Sequence, residues 1–297
     1  MYHEPVMLKE CIEGLNIKDD GIYVDVTYGG GGHSKEILKN FQGGSLIAFD
    51  QDQDALKNKL EDERLVLINH NFRYMRNFLK LYKAFPVDGI LADLGVSSHQ
   101  FDVAERGFSV RFEGKLDLRM NQEKGITAAH VVNEYSTSAL RDIFFQYGDL
   151  KNAHKISQLI DTFRSNNSIE TTDHLKESLK SCAPRHQENK FYARVFQALR
   201  IEVNDELEAL KDFLKQTTEM LKPGGRLVVI SYHSLEDRLV KNFIRSGNFE
   251  GKIEKDFYGN AENAFEIITR KPLVPKEAEI EKNSRARSAK LRIAQKK

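Results

Sequence analysis

The chain has 297 residues, 40% hydrophobic and 30% charged, with 45 Lys/Arg against 44 Asp/Glu for a net charge of +1. That length predicts one large domain or two smaller ones with enough apolar material for a core, and the composition excludes a fully disordered chain. No run of about 18 apolar residues occurs, the opening MYHEPVMLKE carries charge where a secretory leader is apolar, and two cysteines (Cys11, Cys182) cannot build a disulfide framework or a zinc knuckle, so a protein of the reducing cytoplasm without a membrane span is expected.

Residues 21–26 (GIYVDV) predict a short strand that runs into four glycines, Gly29 to Gly32, and a helix start at 33–38. Residues 45–50 (SLIAFD) predict a second strand ending in a carboxylate, followed by a helical stretch through Ala55, Leu56 and Leu60. A third strand is expected at 65–69 (LVLIN), a helix at 72–81 and a fourth strand at 87–94 (VDGILADL). Apolar strands alternating with helices predict βαβ units and a parallel sheet. The next buried strand is 226–232 (RLVVISY), after a helix at 204–221 and the turn Lys222-Pro223-Gly224-Gly225. About 130 residues separate it from the fourth strand, where a βα repeat needs about 30. Stretches 138–147, 154–165 and 172–182 in that gap show apolar residues at three- and four-residue spacing, so 105–198 reads as an inserted helical domain and 1–104 with 199–297 as the α/β domain. A helix at 235–244 and strands at 265–269 and 289–294 follow; the alternating 289–293 run has the pattern of an edge strand blunted by charge.

The glycine loop after the first strand lets the backbone approach a ligand and reach conformations other residues avoid. It fails the dinucleotide fingerprint, because counting from Gly29 puts Ser34 in the last glycine position, and it fails the P-loop pattern, because His33-Ser34 follows Gly32 with no lysine between. A sulfonium nucleoside needs close backbone approach and a carboxylate for its ribose, and Asp50 lies 19 residues after Gly31 at a strand end. Asp93 ends the fourth strand, so Gly31, Asp50 and Asp93 are expected at one crevice at the carboxyl ends of the strands. The alternative for Asp93 is a cap on a turn.

These residues carry a resemblance. His3-Glu4-Pro5-Val6-Met7-Leu8, the Asp25–Ser34 loop, Phe49-Asp50-Gln51-Asp52, the long run from Asp93 through Gln100 and Arg106-Gly107-Phe108-Ser109 to Met120, Arg194 to Ile201, Asn204 to Leu207, Ser231 to Arg238 and Asn283 to Ile293 together resemble the bacterial 16S rRNA (cytosine-N4)-methyltransferases of the RsmH or MraW type, over nearly the whole chain. The resemblance implies a class I, Rossmann-like S-adenosylmethionine-dependent methyltransferase sheet with an inserted helical domain for substrate recognition. It implies methyl transfer to the exocyclic N4 of a cytidine in the decoding region of small-subunit rRNA. Carried over by motif, cofactor contacts fall on Gly31, Gly32, His33, Asp50, Phe72, Asp93 and Gln100. Tyr232 stands where that family often has Phe, and His99 where Pro is common.

Within this resemblance Asp93 is the candidate for orienting the amine, Asp117 a second acceptor unless it pairs with Arg119 or Arg106, and His233 a pocket residue beside a helix start with Ser234 as its cap and Asp237 three residues on. Phe108 is a candidate for stacking on the base unless it plugs the core of the insertion. Residues 270–297 carry ten Lys/Arg against three Asp/Glu, a net of +7 that leaves −6 on the rest. Arg285 and Arg287 in that tail, with Arg194 and Arg200, are candidate phosphate contacts on 16S rRNA or the small ribosomal subunit, although such runs also form solvated surface. No metal cluster is expected, and the oligomeric state, homodimer included, stays open. Competing readings are a class I methyltransferase acting on a small molecule or protein, and a non-catalytic ribosome-assembly protein.

Overall fold

Seven strands join in one sheet in the computed structural model, which describes residues 5–253 and 263–297, so that His3 and Glu4 of the opening motif lie outside the described residues. They are β1 (Ile22–Asp25), β2 (Ser45–Asp50), β3 (Leu65–Asn69), β4 (Val87–Asp93), β5 (Leu221–Ser231), β6 (Phe265–Ile267) and β7 (Lys290–Lys296). Their order is β3-β2-β1-β4-β5-β7-β6. The first five run parallel, and β7 lies antiparallel between β5 and β6. Strand order reverses between β1 and β4, the place where an open α/β sheet leaves a crevice at the strand ends.

Side chains alternate across the sheet. Val24, Ile47, Phe49, Ile90, Ala92, Leu227 and Val229 pack with the helices Met75–Leu81, Glu206–Met220 and Ser234–Ser246 on one face. Tyr23, Leu46, Ala48, Leu91, Val228 and Ile230 pack on the other with Leu8–Leu15 and Gly32–Lys39. Asp25, Asp50, Asp93 and Tyr232 lie two residues beyond Tyr23, Ala48, Leu91 and Ile230, so strand parity sends all four to that second face.

The chain divides into two compact units, 1–95 with 207–297 and 96–206. The division falls outside the expected 105–198 at both ends for packing reasons. Val96 and Phe101 already pack on the core of the second unit, and the helix Glu188–Asn204 runs through position 198 unbroken. That unit buries Phe144, Ile156, Leu175, Val195 and Leu199 among helices whose first turns are closed by Thr127, Ser136 and Thr171. Other expectations are corrected locally. The helix reaching Leu60 stops as Gln53–Leu56, and 72–81 opens as a 3-10 turn, Phe72–Tyr74. The 204–221 helix is preceded by a longer one, the two separated at Asp205, whose φ is +49°. The last strand is interior, not an edge: Arg292 and Lys290 meet Asp237 at 2.7 and 3.4 Å instead of fending off neighbours.

Candidate active site

The loop after β1 is sewn to both neighbouring strands. Val26 N–H donates to the Leu91 carbonyl and Tyr28 N–H to the Phe49 carbonyl, each at 2.9 Å. Asp25, fully buried, accepts from Thr27 N–H at 3.1 Å and from the Ser34 hydroxyl at 2.7 Å, which ties the loop to the helix behind it. Thr27 Oγ1 in turn accepts Asp93 N–H at 2.7 Å. The glycines have separate jobs. Gly31 (φ +75°) caps the helix Gly32–Lys39, and a Cβ on it would meet the Tyr28 hydroxyl at 2.7 Å. A Cβ on Gly32 would strike the Pro5 ring. Gly29 (φ +52°) faces open space, with nothing within 4 Å of where a Cβ would stand.

Asp50 Oδ2 accepts Gly29 N–H at 2.7 Å and Oδ1 accepts Asp52 N–H at 2.9 Å, so each oxygen keeps a lone pair for a further donor. Asn69 fixes the strand end by donating its side-chain amide to the Asp50 carbonyl at 2.9 Å. Burial pushes the Asp50 carboxyl from the ordinary 3.8 up to about 6, against the pull of those two N–H groups.

Asp93 is hydrogen-bonded through one oxygen. The Tyr232 hydroxyl donates to Oδ1 at 2.8 Å, and His33 Nδ1 stands 3.8 Å from Oδ2. The His33 ring is buried, with Nε2 3.1 Å from the Val6 carbonyl, so Nε2 carries a proton and Nδ1 faces the carboxylate. Burial pushes Asp93 to about 6 as well, offset by His33 and the Tyr232 hydrogen bond. Its side chain keeps 22% exposure, enough to meet a ligand.

The remaining sequence candidates have the following surroundings. Phe72 is half-buried and meets Phe213 edge-to-face at 5.5 Å. Gln100 closes a capping box with Ser97, accepting Ser97 N–H at 3.0 Å. His233, not Ser234, is the N-cap of Ser234–Ser246, and Glu236, not Asp237, completes its capping box; the box is one residue earlier than expected because the Glu236 carboxylate accepts both Tyr232 and His233 N–H. Asp117 takes the structural option, a bidentate pair with Arg119 at 2.7 and 2.8 Å. Phe108 is buried in the core of the second unit, with the Arg106 guanidinium 5.7 Å above its ring, so its faces are covered by protein. Arg194 donates to Asp149, and Arg200 makes a bidentate pair with Glu206 at 2.8 and 2.9 Å, so each guanidinium has an acid partner within that unit. Arg285 and Arg287 are exposed. Sequence reading passed over Thr27, Gly29 and Tyr232, which the parity of the strands and the D-V-T-Y-G order already placed at this end of the sheet.

Two carboxylates with unused lone pairs, beside a backbone turn lacking the phosphate-binding patterns, suit a ligand with hydroxyls and positive charge. The strand order is that of a class I, S-adenosylmethionine-dependent methyltransferase, and the two carboxylates are its candidate cofactor site. The chain belongs to the MraW methylase family, whose model matches residues 1–297. It is 58% identical over 296 residues to ribosomal RNA small subunit methyltransferase H of Christiangramia forsetii, covering 99% of this chain and 98% of that protein. It is 56% identical over 297 residues to the protein of the same name from Bacteroides thetaiotaomicron, covering 100% and 98%. Among solved structures, a putative methyltransferase from Streptococcus mutans in complex with SAH is similar over 100% of both chains at 13% identity and a TM-score of 0.47.

Proposed function

We propose that this chain methylates the exocyclic N4 of a cytidine in the decoding region of 16S rRNA, acting in the cytoplasm. Relatives named as small-subunit rRNA methyltransferases at 58% and 56% identity support the substrate class. The observation that carries the chemistry is Asp93, a carboxylate at the end of β4 fixed through one oxygen and still partly open to a ligand.

S-adenosylmethionine, when bound, supplies a methyl group on a positively charged sulfur. Asp50 accepts the ribose hydroxyls, and the turn at Gly29 to Gly31 gives the close backbone approach. The N4 lone pair is delocalised into the pyrimidine ring and makes a poor nucleophile. Asp93 Oδ2 accepts an N–H of the amine, which favours a more tetrahedral nitrogen and holds its lone pair in line; such alignment is worth up to about 7–11 kcal/mol. As the new N–C bond forms and the methyl–sulfur bond breaks, N4 sheds one proton, and the Asp93 carboxylate accepts it and passes it to solvent. An acid poised near 6 does this at neutral pH without binding the proton permanently.

The test offers labelled cofactor with three acceptors: small ribosomal subunits lacking the modification, protein-free rRNA, and a ribosome-depleted extract. Label in rRNA, reduced at least a hundred-fold in Asp93→Ala at saturating cofactor, is the expected result. Label only in the extract would replace this reading with a small-molecule or protein substrate.

A further inference from the structure

Asp93 accepts a hydrogen bond from a single phenol across the top of the sheet. Tyr232 follows β5, and its hydroxyl reaches Asp93 Oδ1 at 2.8 Å. Its ring lies against Gly95, where a Cβ would come within 3.4 Å, and Gly95 has φ +96°. Its own N–H is pinned by Glu236 at 3.0 Å. The phenol is therefore held at both ends, and the oxygen of Asp93 it occupies is the one turned away from His33. From this geometry we propose that Tyr232 is a positioning residue for the transfer: its hydroxyl holds the Asp93 carboxylate in one rotamer with Oδ2 presented, and keeps it ionised.

The proposal rests on Asp93 being the group that meets the amine. The chemistry is that of a donor to a charged acceptor, which favours the ionised form. Burial, together with the neighbouring Asp93 charge, pushes the Tyr232 phenol well above its usual range, so it stays a donor throughout the working pH range. The other groups facing Asp93 are His33 on the helix after the glycine turn, Asp25 on β1 and Glu236 on the helix after β5. Cys11, on Leu8–Leu15, also feels the Asp93 charge, but burial keeps it a thiol. Of these, His33 favours the charged carboxylate while Asp25 and Glu236 oppose it. Removing the hydroxyl leaves two acids against one histidine.

The experiment compares wild type, Tyr232→Phe and Tyr232→Leu. The first reading is the acidic limb of kcat/KM for methyl transfer to rRNA; the second, independent of turnover, is the carboxyl carbon shift of Asp93 titrated by NMR in the protein without cofactor, assigned with Asp93→Asn. In Tyr232→Phe both midpoints are expected to rise by about half to one pH unit, the worth of one hydrogen bond to a carboxylate. A one-unit rise is about a five-fold loss of kcat/KM at pH 6 that shrinks as the pH rises. Phe restores the melting temperature lost in Tyr232→Leu but not the midpoint. A Tyr232→Phe protein with both midpoints unmoved overturns the proposal and leaves Tyr232 as packing. Wild type that transfers no methyl to rRNA overturns the functional reading instead, and the carboxyl titration then decides the proposal by itself.

Discussion

Asp50 and Asp93 are both carboxyls that folding pushes up from 3.8 to about 6. The sign follows from linkage. Above pH 6 each is ionised in folded and unfolded chain alike, and the folded state bears the full penalty of the buried charge. Between about 6 and 4 the folded state takes up the proton first, so the penalty fades, and below about 4 it is gone. Asp93→Asn is therefore expected to melt higher than wild type at pH 7.5, by about 2–4 °C, and to lose that advantage at pH 4; equal melting at both values would contradict the assignment. The same carboxylates attract a cationic ligand only when ionised. Affinity for S-adenosylmethionine, measured by calorimetry from pH 8 to 5, is expected to fall as the pH drops through 6, and in Asp50→Ala by about ten- to a hundred-fold at pH 7.5. Residue roles were only partly legible beforehand. The position of Asp50 and Asp93 at strand ends could be read from alternation, whereas the capping role of His233 and the pairing of Asp117 with Arg119 depend on which neighbour a side chain reaches, which sequence spacing does not fix.

The element that makes the site is the turn between β1 and the helix Gly32–Lys39. Its glycines separate by what surrounds them. Tyr28 cannot yield to a side chain at Gly31, since its hydroxyl donates to the Asn58 carbonyl at 2.7 Å and accepts Leu60 N–H at 3.0 Å. Gly31→Ala is expected to lose about 2–4 kcal/mol in denaturant unfolding, from left-handed backbone and overlap together. Gly29→Ala meets no atom and loses only the backbone share, about 1–2 kcal/mol, yet puts a methyl group in the open space that the proposed function gives to the cofactor, so cofactor affinity is expected to drop more than the melting point suggests. Strands were the most legible elements, because apolar runs such as 65–69 are too short for a helix and are bounded by polar residues. Helix limits were less so: the 3-10 opening at Phe72–Tyr74 is set by Asn71, whose side chain accepts Arg73 N–H at 2.9 Å, a local choice that apolar spacing does not record.

At the scale of the molecule, the interruption of the βα rhythm exposed the insertion, and helical periodicity gave its class. Its limits were misplaced because amphipathic spacing does not say which core a helix end joins, as the run of Glu188–Asn204 past position 198 makes plain. Charge was the least legible property. Lys290 and Arg292 of the basic tail are spent on Asp237, while Arg287 stays exposed. Arg287→Ala is expected to lower the salt dependence of rRNA binding by about 0.7–0.9 in the log–log slope without touching cofactor affinity. Arg200→Ala is expected to leave that slope alone and to destabilise by about 1–3 kcal/mol, because the part-buried Glu206 carboxylate then loses its two hydrogen bonds from the guanidinium.

Among the described residues no helix is long and apolar enough to cross a membrane, and the proposed function gives the sheet, the turn and the carboxylates one chemistry. That chemistry is tested most directly by nucleoside mass analysis of 16S rRNA from small subunits lacking the modification, after incubation with this protein and S-adenosylmethionine. The account predicts one new methyl per subunit, recovered as N4-methylcytidine from the decoding region. A methyl found on ribose, on C5 of a cytosine or on another base would contradict the placement of Asp93 against an amine, and no methyl in rRNA alongside measurable cofactor binding would contradict the substrate.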